Sequence, residues 1–245
     1  MKPYINKSVL FVLIFTLIMS FFAPQSLTVK AAGSLTETVK TKTIKTGDAY
    51  TIKRLQKSFT YNNKQVALIY YEYPQLKGST SYIKSFNKKM KDKAQSFLVS
   101  EQAQYLKGYK ESAIELGNQV DELYFYKTTT RLTYKSGNVY SFRTEEDWYA
   151  GAINNVSRSG VTFNKKTGKY LKVNDVVAGN INEKLVKKLR TNYPELAAFP
   201  ENIDYVRNKK KFSFYIQNGK AIVCLQPYAL VGQGGQYRIL GLKLK

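Results

Sequence analysis

Asn218-Gly219 lies between two apolar, β-forming runs, Phe212–Ile216 and Ala221–Leu225. Asn and Gly tolerate positive φ at both central positions of a type I′ turn, whose twist matches the strands it joins. The dipeptide therefore commits this stretch to an antiparallel hairpin. Weaker versions of the signal recur along the chain. Strand-forming residues over 51–61 (Ile52, Leu55, Phe59, Tyr61) lead through the turn Asn62-Asn63-Lys64 into Gln65–Tyr73, a run rich in β-branched and aromatic residues that Pro74 is expected to end. Residues 119–149 read as a hairpin turning at Lys135-Ser136-Gly137-Asn138. A strand over 155–163 closes at Asn164–Lys169, and residues 236–244 form the last strand. Val173–Val177 is a short element with Asn174-Asp175 as its cap.

Two stretches carry helical periodicity instead. Over 80–107, Ile83, Phe86, Met90, Ala94, Phe97 and Leu98 fall three and four apart, with Ser79 or Thr80 as cap. Over Ile181–Tyr193, Ile181, Leu185, Leu189 and the later Leu196 share one side. Hairpins interrupted by helices predict an α+β fold, with antiparallel sheet or sheets and two amphipathic helices packed on them, rather than a doubly wound sheet. The break near Ser112–Asn118 divides a first small module, 51–115, from a second, 116–245. Residues 32–50 read as a linker or an edge strand. Their alternating lysines suit an edge that must not pair with a neighbour.

The N-terminus has the three-part layout of a secretory signal: Lys2 and Lys7, an uncharged and mostly apolar Val9–Ala23, then Val29-Lys30-Ala31. Cleavage is expected after Ala31. A retained anchor is the alternative, but a spanning helix needs about 20 apolar residues, and this run ends at Pro24. No Cys follows the run, which excludes a lipoprotein anchor. Export places the mature protein outside the cytoplasmic membrane, secreted or associated with the wall, and the lack of cysteine pairs suits a Gram-positive source.

Cys224 is the only cysteine, so no internal disulfide can form. The fold must hold by packing, which 43% hydrophobic content permits. Charge is strongly one-sided. Loss of Lys2, Lys7 and Lys30 with the leader leaves 36 basic against 17 acidic residues, a balance of +19. Such a field attracts polyanions and weakens with salt. Outside a cell these are anionic wall polymers or a membrane surface; nucleic acid is not expected. The bland alternative is that the charge serves solubility.

The chain has no histidine, which removes the usual general base, the catalytic triads and the His-containing zinc sites. No cofactor or metal is expected. Glu145-Glu146-Asp147 beside Trp148-Tyr149 is the remaining candidate for acid-base work, and its ordinary reading is an exposed acidic turn. Cys224 alternates with apolar neighbours and reads as a buried small hydrophobe. Gly232-Gln233-Gly234-Gly235 reads as a turn, with Tyr228 packed and hydrogen-bonded nearby.

Several short motifs resemble a known group. They are Val66–Gly78 ending Tyr73-Pro74-Gln75-Leu76-Lys77-Gly78, Tyr140-Ser141-Phe142, Tyr149-Ala150-Gly151-Ala152, Val161–Val176, and Gln226-Pro227-Tyr228-Ala229-Leu230 with Gly234 or Gly235 after it. Together they resemble exported Gram-positive two-module proteins of the kind seen in the extracellular region of the lysozyme-sensing anti-sigma factor RsiV. They also resemble the non-catalytic N-terminal region of the peptidoglycan deacetylase PdaC, and the domains are of unknown function. The resemblance spans roughly residues 50–245. The group usually has Gly-Gly-Ala-His where this chain has Ala150-Gly151-Ala152-Ile153. A deacetylase catalytic domain is not expected, and neither is a cytosolic sigma-binding segment, since only Met1–Ser8 precede the apolar run.

These readings converge on a non-enzymatic binding module for a cell-envelope component, an anionic wall polymer or peptidoglycan. Lys84, Lys88 and Lys91 on the first helix and Lys209, Lys210 and Lys211 are the expected contacts. The alternative is a protein-binding module, a lysozyme-binding sensor or inhibitor. The basic charge opposes that partner at long range, because many lysozymes are basic.

Overall fold

The computed structural model describes residues 35–118 and 120–245. The leader and its cleavage site at Ala31 lie outside the described residues. No helix among them is long and apolar enough to cross a membrane.

The fold is α+β, built on a large, mostly antiparallel sheet. Seven strands follow one another in sequence order: β1 (Thr36–Thr46), β2 (Tyr50–Tyr61), β3 (Lys64–Leu76), β4 (Tyr124–Ser136), β5 (Val139–Ala150), β6 (Ile153–Asn164) and β7 (Lys169–Tyr170). β1 is the edge, paired on one side to β2 and exposed along its length. The β2–β3 turn puts Asn62 and Asn63 at φ 49° and 61°, the left-handed values that Asn tolerates. Every pairing in this sheet is antiparallel except β3–β4, which is parallel and needs a crossover. Two helices supply it, α1 (Ser81–Leu98) and α2 (Glu101–Glu115).

The sequence pattern expects one helix over 80–107 and finds two. Ser100 makes the break: its Oγ accepts the Ala103 N–H at 3.3 Å and donates to the Phe97 carbonyl at 2.8 Å. Buried Ala103, Leu106, Lys110 and Ile114 then carry the same three-and-four spacing onward, which is why periodicity hides the junction. Thr80 caps α1, accepting from the Ile83 N–H at 3.3 Å.

Pro74 does not end β3, which runs to Leu76 with Pro74 opposite Ile52. The flanking N–H groups of Glu72 and Leu76 point away from β2, to Thr128 Oγ1 (3.1 Å) and Asn87 Oδ1 (2.8 Å). The pleat turns Pro74 the same way, beyond the last β3–β4 partners Tyr71 and Thr128. Its missing N–H therefore costs no ladder bond.

α1 lies on one face of the main sheet. Phe86 meets Phe142 and Phe163, and Phe97 stacks on Tyr126 with ring centroids 4.0 Å apart. One core thus joins side chains from before and after residue 115. The described residues form one compact unit, with the expected 115/116 boundary falling in the connection after α2.

The remaining elements are α3 (Val173–Val176), α4 (Ile181–Asn192), α5 (Pro194–Ala197), α6 (Pro200–Asn208), β8 (Ser213–Gln217), β9 (Lys220–Leu225) and β10 (Arg238–Lys243). The last three strands form a second sheet over its own core, and Asn218-Gly219 makes the expected turn at φ 49° and 67°. α5 and α6 go beyond the two helices expected; each starts with proline at its first position, where the lost N–H has no helical partner anyway. β8 crosses the face of the main sheet opposite α1. Ser141 Oγ, between inward-facing Tyr140 and Phe142, accepts the Ile216 N–H at 2.8 Å. At Gly160 any Cβ would stand 2.2 Å from the Phe214 carbonyl oxygen, so only glycine permits the approach.

Three local expectations change. Glu145-Glu146-Asp147 lies inside β5, not in a turn, because its neighbours pair on both sides. Tyr228 is hydrogen-bonded to Asn155 Oδ1 at 3.2 Å but is 69% exposed rather than packed, at φ 58° in the bend before Gly232. Asp175 acts from the third position of α3, accepting the Lys172 N–H at 2.7 Å.

Candidate anion-binding cleft

The candidate site starts from how α6 ends. The last carbonyls of a helix lack helical partners. Here Asn182, in the first turn of α4, donates to the carbonyls of Val206 (3.0 Å), Arg207 (2.7 Å) and Lys209 (3.1 Å). That clamp fixes the chain as it leaves α6, and the exiting segment is Lys209-Lys210-Lys211. Opposite it stands Lys172, at the start of α3. Between them is a cleft of about 590 Å³.

The cleft is lined by Lys172, Arg207, Lys209, Lys210 and Lys211, with Asn174, Asn182 and Asn208 as neutral polar groups. Among the described residues no carboxylate lines it. Arg207 is partly neutralised by Glu183 (3.0 Å) and Asp204 (3.4 Å). Lys209 is held against Tyr205, bonded to its hydroxyl with its ammonium 4.4 Å from the ring centroid. Lys210 and Lys211 are exposed. The nearby Asp175 is occupied: Lys169 Nζ bonds Oδ1 (2.7 Å) and the Lys172 N–H bonds Oδ2. Those bonds, the one from Lys169 first, hold its carboxyl below the usual range. The lining therefore presents surplus positive charge and amide donors.

Of the six expected lysines, the structure gathers Lys209, Lys210 and Lys211 here. Lys84, Lys88 and Lys91 lie on the exposed side of α1 and do not line this cleft, and Lys88 is paired with Asp92 at 2.6 Å. Two other α1 lysines face aromatic rings instead: Lys89 Nζ is 4.3 Å from the Tyr170 ring and Lys93 Nζ 5.7 Å from that of Tyr71. Sequence reading missed Lys172, Arg207 and Asn182. Arg207 and its neighbours had a signal in the proline starts of α5 and α6. Lys172 and Asn182 had none, since only folding sets them beside 209–211.

The acidic residues of β5 are committed to partners. Glu145 pairs with Arg158, and Asp147 with Lys127 at 3.1 Å. Glu146 accepts the Tyr126 hydroxyl at 3.2 Å, and burial pushes its carboxyl above the usual range. Among the described residues no group of three or more His, Cys, Asp or Glu side chains is gathered to hold a metal.

Fold and cleft define a class: a mainly antiparallel α+β protein with a basic, carboxylate-free cleft beside its second sheet. No family model matches the chain, and no curated protein matches it. Solved structures similar to it include two DUF3298-family proteins. One, from Bacteroides fragilis, is 12% identical at a TM-score of 0.49, covering 86% of this chain and 92% of that one. The other, from Pseudomonas aeruginosa, is 11% identical at a TM-score of 0.41, covering 87% and 96%. DUF3298 denotes a domain of unknown function.

Proposed function

We propose that this protein is an exported, non-enzymatic module that binds an anionic cell-envelope polymer through the cleft between α3, α4 and α6. The observation that carries the reading is the lining itself, five cationic side chains with no carboxylate among them. A phosphodiester or carboxylate polymer matches that chemistry, since charge-assisted hydrogen bonds from Lys and Arg are the strong ones. Export by a leader cleaved after Ala31 places the protein where such polymers are. The test is retention of the purified protein on isolated cell walls, with and without teichoic acid, across a salt series. Lys172→Glu, Lys210→Glu and Lys211→Glu together are expected to abolish polymer-dependent retention and flatten its salt dependence. Retention unchanged by the triple variant rejects the cleft.

A second reading rests on a different surface. α2 exposes Tyr105 (54%), Tyr109 (52%) and, just past its end, Leu116 (71%) along one stripe, the kind of apolar patch that a protein partner covers. The motif resemblance to the RsiV and PdaC extracellular regions makes a lysozyme-like protein the first partner to try. A complex at physiological salt that Tyr109→Ser dissolves supports this reading, and no complex removes it.

A further inference from the structure

The face of the main sheet away from α1 carries charged side chains in cross-strand rows. Arg54 faces Glu72, Lys127 faces Asp147 and Glu145 faces Arg158, each a register pair of opposite sign that forms a close ion pair. Lys42 opposite Arg54 is also like-charged, but Glu72 neutralises Arg54 from the other side; Arg131 and Arg143 break the rule outright. They are direct register partners on β4 and β5. Direct antiparallel partners have Cβ atoms about 4.5–5.5 Å apart, where like charges are destabilising. Among the described residues neither arginine belongs to an ion pair. Arg131 is exposed and Arg143 half-buried.

The neighbourhood is shaped as well as charged. The parallel β3–β4 ladder stops at Tyr71 and Thr128, and the strands part. Glu72 closes the gap from inside: its Oε2 accepts the Thr130 N–H (3.0 Å), its carbonyl accepts Thr130 Oγ1 (2.7 Å), and its N–H donates to Thr128 Oγ1. Beside the parting is a cavity of about 550 Å³, lined in part by Lys45, Arg54, Glu72, Thr130 and Arg131. A bulge in β1 between Thr43 and Lys45 re-aims that strand at its rim. Glu72 is the single carboxylate in the lining, and Arg54 already holds its Oε1 through Nε (3.2 Å) and Nη2 (2.6 Å). Among the described residues Lys45 and Arg131 form no ion pair.

We infer that Arg131, which lines this cavity, and its register partner Arg143, which stands outside the lining, hold a phosphate group between them, with Lys45 alongside. Two guanidinium forks on adjacent strands offer paired N–H donors in the planar geometry that suits a tetrahedral oxyanion. An anion between them turns a repulsive contact into an attractive one. The site shares no lining residue with the α6 cleft and does not rest on the polymer reading. The phosphate belongs to a free ion or to a phosphodiester chain.

The experiment is thermal unfolding of the whole protein in phosphate against chloride at matched ionic strength. Inorganic phosphate and a glycerophosphodiester oligomer are the two probes. At a hundredfold excess over Kd, phosphate should raise the wild-type midpoint by about 5–10 °C. Arg131→Gln and Arg143→Gln should each raise the midpoint in chloride, by removing repulsion, and lose the phosphate-specific rise. Arg131→Lys, which keeps the charge but not the fork, should retain only part of it. A rise with inorganic phosphate identifies the free ion as sufficient; a rise only with the oligomer assigns the site to a chain. The inference is overturned if neither probe shifts the wild type beyond chloride. It is equally overturned if the shift survives Arg131→Gln and Arg143→Gln, or disappears only with the Lys210 and Lys211 variants.

Discussion

At the residue scale, burial sets what single side chains do. Glu72 is 5% exposed, and its carboxylate is shared between Arg54 and the Thr130 N–H. Removing one member of a buried pair leaves the other charge uncompensated. Glu72→Gln should therefore lower stability by about 3 kcal/mol, read from the urea midpoint. Glu146 works in the opposite direction. Burial raises its carboxyl, so the folded state holds its proton more tightly than the unfolded chain, and ionisation weakens the fold as pH rises through the folded value. Glu146→Gln stays neutral at every pH. It should be more stable than the parent at neutral pH, with the difference shrinking as pH falls below the folded value and gone only below the ordinary carboxyl range of the unfolded chain; a pH series of unfolding midpoints checks it. Cys224 is 2% exposed, and burial pushes its thiol up to about 12. The thiolate is the reactive form. The native protein should leave an aromatic disulfide reagent unreacted at pH 8 and release one thiol only in denaturant.

At the element scale, the hairpin turns and the helix interiors were legible because their signals are local. The six apolar residues expected on the first helix are its buried residues, and Asn218-Gly219 turns where it should. Pro74 and Ser100 depart from the local pattern because what decides them is not local. Pro74 is tolerated because its ring faces the parting of β3 and β4. Ser100 ends one helix and begins another because both must lie on the same sheet. Ser100→Ala removes the α2 cap and should cost about 1 kcal/mol of stability. Gly160 is sharper still. Nothing in its own stretch marks it as special, yet β8 passes so close that a methyl group meets the Phe214 carbonyl. Gly160→Ala must push the small sheet away from the main one, at a cost of about 1–3 kcal/mol, and guanidinium titration followed by aromatic circular dichroism is the measurement.

At the scale of the whole molecule, the main sheet passes straight through the boundary drawn near residue 115. β3 pairs with β4, and Phe142 and Phe163 complete the core under Phe86. A chain of residues 116–245 alone leaves Tyr140, Phe142 and Phe163 without the helices that cover them. It should be aggregation-prone and give poorly dispersed amide spectra. A well-dispersed spectrum for that fragment overturns this view of one interdependent sheet. Charge belongs to this scale too. Only in the folded molecule does Lys172 join Lys209, Lys210 and Lys211, whereas the β4–β5 hairpin by itself sets Arg131 beside Arg143.

The sequence by itself determined the α+β class, the strand and helix interiors, the tight turns, the buried thiol and the basic balance. Each follows from periodicity, turn chemistry or composition, which act over a few residues or over the chain as a sum. The tertiary structure alone decided that one sheet unites the two halves. It also decided that the triple-lysine segment lines a cleft while the α1 lysines do not. Those facts depend on strand order, register and crossover, and no local preference encodes which distant residues a pairing brings together.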